Sequence, residues 1–318
     1  MIPENTSRWV SFCISTFRRP VFLKEQITLL LTQQDPDFEI VISDNDPEGS
    51  GAEIAASFND DRVRYFRNEE NLGMIKSFNK SIERATTPFI TMVTDDDPIQ
   101  PEFLLTLKQV IKNHPGYSFY GGVLRSTSSP GSIEEIEAGD FMEELLDPER
   151  TTEMLWSSCI LNREDALKAG TIPDFGSPHL ADHALLALSG SQGGGVFMNQ
   201  TFSSLNVHET NFSKSNFTTY IQGCKGFYET MSAFVAKRGN AERGSGILKK
   251  HLSYWFIPCM FNLKRFYTIK NDQEKLKQVD ECGRTILSFP FMSHLKGKYE
   301  RKEFILRIKK TLGLLKKS

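Results

Sequence analysis

Phe89-Ile-Thr-Met-Val-Thr-Asp95-Asp96-Asp97-Pro98 is a short apolar run that stops against three adjacent carboxylates. Its length and β-branched content predict a strand buried on both faces. Open α/β sheets take their ligands at the carboxyl ends of such strands, which is where these acids fall. Neighbouring carboxylates repel by roughly 3–4 kcal/mol per pair at about 4–5 Å and an effective dielectric of about 20. The cluster therefore calls for a divalent cation, and hard oxygen ligands suit magnesium or manganese. An ion held by one or two carboxylates keeps positions open for phosphate oxygens. The competing role for a single acid here is to cap the helix expected to open at Pro101. Three in series after a strand favour the cation.

Upstream of this stretch, strand and helix signals alternate. Trp9 to Ser15 reads as a strand, and Pro20 opens a helix whose Leu23, Ile27, Leu30 and Leu31 share a face. Phe38 to Ser43 and Val63 to Phe66 are further strands, and Ile75, Phe78 and Ile82 mark a second amphipathic helix. Downstream, Leu104, Leu107 and Ile111 mark a third. This rhythm predicts right-handed crossovers and an α/β fold with a mostly parallel central sheet flanked by helices. The middle of the chain is less regular. Ser126 to Ser132 reads as a loop, Trp156 to Leu161 as a strand, Arg163 to Ala169 as a short helix and Val196 to Phe202 as a strand after a Gly193-Gly194-Gly195 turn. From about Asn216 the pattern turns helical and aromatic-rich. We therefore expect a catalytic domain over 1–215, with halves at about 1–125 and 126–215, and a helical C-terminal region over 216–318.

The 318 residues, 39% apolar and 25% charged, describe an ordinary globular chain with no apolar run long enough to span a membrane. The N-terminus lacks the basic start and apolar core of a secretory signal, so cytoplasm is the expected compartment. Five cysteines with no C-x-x-C pair argue against a disulfide framework and a zinc site. Net charge is −2, but nine Lys/Arg against Glu300 and Glu303 give the segment from His294 onward +7, leaving −9 on the remainder. In that tail Phe304, Ile305, Ile308, Leu312 and Leu315 share a helical face among lysines and arginines. This composition suits a helix lying on an anionic membrane surface. It equally suits a docked terminal helix with a solvated basic face. The basic residues carry no interleaved stacking aromatics, so nucleic acid is not expected as a partner.

Several segments together resemble the family 2 glycosyltransferases of the GT-A fold. Val10-Ser-Phe-Cys-Ile-Ser-Thr-Phe-Arg-Arg-Pro20 is similar to that family's opening strand and loop. Asp37-Phe-Glu-Ile-Val-Ile-Ser-Asp44-Asn45 is similar to its second strand, with the nucleoside-binding acid at the end. Asn71-Leu-Gly73 resembles its N-x-G turn, and Thr94-Asp-Asp-Asp-Pro98 its acidic metal motif. Leu180-Ala-Asp182-His183 resembles the segment of the catalytic base, and Val207-His208-Glu-Thr-Asn211-Phe-Ser213 the late histidine motif. The resemblance covers about residues 9 to 215.

It implies a transferase that moves a sugar from a nucleotide-diphosphate sugar, a UDP-sugar by family prior, to a saccharide or lipid-linked saccharide. Thr16, Phe17, Asp44, Asn45, Asn71, Gly73, Lys76 and Asp95 would bind the donor, with Phe17 stacking on the base and Lys76 near the diphosphate. Asp96, Asp97 and His208 would hold Mn2+ or Mg2+. Thr94 stands where the family pattern has its first acid, which leaves the division of labour among Asp95, Asp96 and Asp97 open. Asp182 would act as general base in an inverting displacement, with His179 and His183 as neighbouring candidates for the roles of His208. Surface-polysaccharide synthesis at the inner face of the plasma membrane follows as the expected setting. Two other functions compete. An Asp-nucleophile magnesium phosphohydrolase would use Asp44-Asn45-Asp46, although Glu48 stands where Thr or Val is usual. It would also leave Asp182 and His208 without a role. Against a non-catalytic sugar-nucleotide binder stand the intact acids of both the metal and the base segments.

Overall fold

A computed structural model describes residues 2, 8–205, 216–239 and 241–311. The chain forms two compact units, Met1–Asp174 with Ala181–Val207, and Phe175–Leu180 with His208–Ser318.

The first unit is built on one eight-stranded sheet in the order β3-β2-β1-β4-β7-β5-β8-β6. Its first half comprises β1 (Val10–Thr16), α1 (Pro20–Leu30), β2 (Phe38–Asp44), α2 (Ala52–Ser57), β3 (Val63–Arg67), α3 (Met74–Arg84), β4 (Phe89–Val93) and α4 (Phe103–Asn113). The four strands are mutually parallel. Every residue of β2 and β4 is buried, as strands covered on both faces require. Pro20 stands in the first turn of α1, where its missing N–H costs nothing, and Leu23, Ile27 and Leu30 turn inward. Ile75, Phe78 and Ile82 do the same on α3, and Leu104, Leu107 and Ile111 on α4. The last helix begins at Phe103, two residues after the expected Pro101.

The second half comprises β5 (Phe119–Arg125), β6 (Ile133–Ile136), α5 (Phe141–Leu146), β7 (Thr151–Asn162), α6 (Arg163–Lys168), α7 (Ala181–Gly193) and β8 (Gly195–Met198). β7 runs antiparallel to both β4 and β5, and β6 antiparallel to β8. Since β5 and β8 are parallel, four of the seven strand pairings are parallel and the expected mostly parallel sheet holds.

Three details differ from expectation. β7 is twice as long as its apolar run, because its polar start at Thr151 to Met154 pairs with β5 beyond a bulge. β8 stops at Met198 because the Asn199 side chain takes over the pairing, accepting from Arg125 N at 2.8 Å. α7 shows no amphipathic period since it is buried nearly all round, from Ala184 to Ser191.

After Asn199 the chain turns back beneath the acidic loop. Ser203 forms a bridge with Ile99, Gln100 N donates to Phe202 O at 2.8 Å, and Ser204 N donates to Pro98 O at 3.3 Å. The hydroxyls of Ser157 and Ser158 hold Ser203 Oγ at 2.8 and 2.7 Å. Phe202 enters the core against Phe103, with ring centres 5.5 Å apart.

The Gly190–Phe141 contact makes α7 sensitive to added volume. Phe141 is enclosed by Phe119 and Phe197, with ring centres 5.0 and 5.4 Å away. A Cβ at Gly190 would come within 2.1 Å of that ring, and one at Gly195 within 2.3 Å. The ring has nowhere to retreat, so Gly190→Val should destabilise by about 3 kcal/mol through overpacking. A denaturant midpoint unchanged from the parent would refute this account of the α5–α7 packing.

The second unit contains α8 (Thr218–Lys237), α9 (Ala241–Lys270), α10 (Gln273–Ser288) and α11 (Lys296–Thr311), with a single-turn 3-10 segment at Ser293–Leu295. Phe227, Leu248, Leu252, Phe256, Met260, Val279 and Ile286 supply its buried apolar interior. Pro258 lies inside the 30-residue α9. The expected C-terminal helical appendage is thus present. α11 leaves Phe304, Ile305 and Ile308 exposed, while Leu312 and Leu315 lie outside the described residues. Among the described residues no helix is long and apolar enough to cross a membrane. All five cysteines are free thiols.

Candidate active site

Strand order reverses direction at β1, which is flanked by β2 on one side and β4 on the other. Such a switch point opens a crevice at the carboxyl ends of the two strands. Thr16 ends β1, and Asp95 follows β4. The Thr16 hydroxyl donates to Asp95 Oδ2 at 3.0 Å, so the two ends are tied across the crevice.

A residue without an assigned role in the sequence reading joins them. Arg19 Nη1 donates to Asp95 Oδ1 at 2.5 Å and Arg19 Nη2 to Asp96 Oδ2 at 2.7 Å. The guanidinium is planar and forked, which allows one side chain to take two carboxylates at once. Its carbon sits 4.2 Å from the centre of the Phe22 ring. The backbone prepares this placement. Arg18 adopts the left-handed conformation (φ 55°), and Leu23 N donates to Arg19 O as α1 begins. The clue in the sequence was a tandem arginine at the end of a buried strand, just before a helix-opening proline.

The three acids are not equivalent. Asp95 is the deepest, with a side chain 5% exposed; Asp96 is 10% exposed and Arg19 31%. Burial raises the Asp95 carboxyl to about 6, with Arg19 opposing the shift and Asp96 adding to it. Asp97 accepts from the Thr94 hydroxyl at 2.7 Å, within its own loop. Thr94, which replaces the family's first acid, therefore supports the loop and ties up one oxygen of Asp97.

At the end of β2 the sequence-predicted residues separate by role. Asp44 is fully buried, and its oxygens accept from Asp46 N at 2.9 Å, Gly51 N at 2.8 Å and the Tyr65 hydroxyl at 2.8 Å. It shapes the loop after β2 from beneath, and burial together with this contact raises the Tyr65 phenol. Asn45 Nδ2 donates to Asn71 Oδ1 at 2.6 Å, and Asn45 Oδ1 accepts from Leu72 N at 2.9 Å. Asn71 Oδ1 also accepts from Gly73 N at 3.0 Å. These contacts fasten the N-x-G turn to β2. Gly73, at φ 80°, can adopt the conformation that delivers the exposed N-terminus of α3 there, with Lys76 exposed on its first turn. Phe17 is exposed beside the Arg18 guanidinium, 5.3 Å from its ring centre.

Asp182 lies in the first turn of α7, 35% exposed, with His183 Nε2 3.9 Å from its Oδ2. His179 belongs to the second unit, where it stacks on Tyr220 with ring centres 3.8 Å apart. His208 lies outside the described residues.

Among the described residues no three His, Cys, Asp or Glu side chains converge as a self-sufficient metal cage. Asp95 and Asp96 do present adjacent oxygens to one cation, the guanidinium. That donor set fits an ion that uses one or two carboxylates and completes its shell with water and phosphate oxygens.

Residues 11–171 match the family described as glycosyl transferase family 2. A Campylobacter jejuni GalNAc(5)-diNAcBac-PP-undecaprenol beta-1,3-glucosyltransferase is 30% identical over 116 residues, 36% of this chain and 37% of that protein. The Streptococcus pneumoniae glycosyltransferase GlyG is 26% identical over 143 residues, 44% of this chain and 48% of that protein. The matched stretch is thus about a third to a half of the length of these relatives. Among solved structures, S. aureus TarS (residues 1–349) in complex with UDP-GlcNAc superposes with a TM-score of 0.59 at 17% identity, covering 89% of this chain and 82% of that one. The mannosyltransferase PcManGT of Pyrobaculum calidifontis, in complex with GDP-Man and Mn2+, superposes with a TM-score of 0.55 at 14% identity, covering 98% and 86%. These likenesses give the fold, and the family match spans half of the sequence: the chain belongs to the family 2 glycosyltransferases and has their GT-A architecture.

Proposed function

We propose that this chain transfers one sugar from a nucleotide-diphosphate sugar to a saccharide or lipid-linked saccharide, with inversion at the anomeric carbon and with Mn2+ or Mg2+. The observation that carries the reading is the Thr16–Asp95–Arg19–Asp96 cluster at the switch point of the sheet. The nucleotide would enter the crevice with its base against Phe17 and its ribose toward Asp95. The diphosphate would meet the N-terminus of α3 and Lys76, positioned by the Asn45–Asn71 latch. Asp96 would hold the ion, with His208 as a further ligand, and Asp97 would support the loop. When bound, the ion neutralises the charge that builds on the departing diphosphate.

Asp182 would accept the acceptor hydroxyl's proton as that oxygen forms its bond to the anomeric carbon. The bond to the diphosphate breaks with its electron pair moving to the phosphate oxygen. The donor half would lie within about 1–125 and the acceptor half within about 126–215, with 216–318 as the helical region. A role for Asp44 in contact with the base would require the surroundings of this fully buried side chain to open, so we assign it to shaping the pocket floor. The same burial removes it as a nucleophile, which weighs against the phosphohydrolase alternative.

The Campylobacter relative, named for an undecaprenol-linked substrate, supports a lipid-linked acceptor, and surface-polysaccharide synthesis is the setting we propose with it. The exposed Phe304, Ile305 and Ile308 among basic residues support peripheral attachment to an anionic membrane at the cytoplasmic face. The neighbours bind different nucleotides, UDP-GlcNAc and GDP-Man, so the base must be measured. Thermal melts with UDP, GDP, dTDP and CDP, each with and without Mn2+, provide the test. One nucleotide at about 100 times its Kd should stabilise by about 2.7 kcal/mol, and only with the metal present. No metal-dependent stabilisation by any of the four would end this reading.

A further inference from the structure

We propose that Arg19 is the resident counter-cation of the donor site: it pairs Asp95 with Asp96 before the metal arrives, yields Asp96 to the metal, and turns the freed guanidinium edge to the donor's diphosphate. The inference rests on the reading of Asp96 as the metal-holding carboxylate.

Two nearly buried carboxylates side by side are costly without a cation, and Arg19 meets one with each of its terminal nitrogens. The two ends of this bridge differ. Asp95 also accepts from Thr16 and is the more deeply buried, so its pairing with Arg19 is the anchored one. Asp96 is the more exposed carboxylate and sits at the outer end of the bridge. A divalent ion on Asp96 and a guanidinium on the same oxygens would repel each other at contact distance, so the arrival of one displaces the other. The backbone of Arg19 is held at the start of α1 by the Leu23 N–H, which leaves the side chain as the part that moves. Phe22 lies along the guanidinium and gives it an apolar surface over which to pivot. A freed, partly exposed guanidinium edge beside a diphosphate site is suited to phosphate oxygens, which it binds in forked geometry.

The arrangement makes opposite demands on metal and donor, and this separates it from a purely structural ion pair. Arg19→Met removes the competitor for Asp96. Mn2+ alone should then bind about tenfold tighter, the factor lost when a resident group covers the binding-competent state nine-tenths of the time. With saturating Mn2+, UDP and GDP should both bind more weakly than to the parent, because the guanidinium is missing from the diphosphate. The full-length chain is titrated with Mn2+, free ion being read by electron paramagnetic resonance, and then with each nucleotide by calorimetry. Arg19→Lys, which retains the charge but reaches only one carboxylate at a time, serves as the variant that folds if Arg19→Met does not. It should also bind Mn2+ more tightly than the parent. Mn2+ affinity equal to or weaker than the parent's in the folded Arg19 variant would overturn the proposal. Asp96→Asn isolates the underlying reading: if that variant keeps the parent's Mn2+ affinity, Asp96 is not the ligand. If it loses Mn2+ while the Arg19 variants match the parent, only the inference about Arg19 fails.

Discussion

Asp182→Asn should lower the transfer rate by about 10²–10⁴-fold, the usual contribution of a positioned general base, while metal-dependent nucleotide binding stays at the parent's value. The substitution preserves shape and exchanges a proton acceptor for an amide. Asp182 sits in the first turn of a helix buried nearly all round and is itself one-third exposed, so the change touches little packing. Single-turnover rates with a matched acceptor, alongside the nucleotide Kd, give the decisive comparison. A fall in rate smaller than tenfold would move the base elsewhere, with the His183 imidazole 3.9 Å away as the first replacement to examine. A large fall in nucleotide affinity would instead make Asp182 a donor-binding group.

The second large effect is expected at Asp96. Asp96→Asn keeps a side-chain oxygen but loses the charge that, in the proposed site, would hold the ion, and with it several kcal/mol of stabilisation of the departing diphosphate. At 1.36 kcal/mol per factor of ten, turnover should fall by about 10²–10³-fold, and the nucleotide should no longer respond to Mn2+. The melting temperature of the ligand-free protein should stay close to the parent's, because the Thr16 and Arg19 contacts with Asp95 remain. Parent-like turnover across a Mn2+ series would rule out metal at this loop.

The parallel half of the sheet was legible in the sequence because both of its physical signals are local. β2 is built around the apolar Ile40–Ile42 and β4 is apolar but for Thr91, and α1, α3 and α4 carry apolar residues at helical spacing. The antiparallel half was legible only in part: Trp156 to Leu161 falls within β7 and Arg163 to Ala169 matches α6, whereas β5, β6, α5 and α7 went unread. In β5, Gly121 and Gly122 are small because side chains and backbone crowd them: a Cβ would meet Phe119 and Cys159 at one, and Gln200 O at the other. α7 lacks a period because it has no solvent face. Within the site, Thr16, Asp95 and Asp96 fall together, and Asn45, Asn71 and Gly73 form the second group. Two features needed coordinates. The burial of Asp44 depends on Gly51 and Tyr65, residues 7 and 21 positions away. The bridging role of Arg19 depends on strands β1 and β4 being neighbours although 76 residues separate Arg19 from Asp95.

The strap formed by Phe202, Ser203 and Ser204 behind the acidic turn bears on how this enzyme takes up its donor. Pro98 O and Gln100 N are hydrogen-bonded to that strap on either side of the Ile99–Ser203 bridge, and the strap in turn is stitched to β7 by two serine hydroxyls. Residues immediately after the three aspartates are consequently anchored like part of the sheet. With the nucleotide in this crevice, as proposed, its capture would demand side-chain rotation at the mouth and little rearrangement of the main chain next to the acids. The entropic cost of ordering a loop at each turnover would then be largely avoided, with the chain's stiffness placed where the leaving group would be gripped.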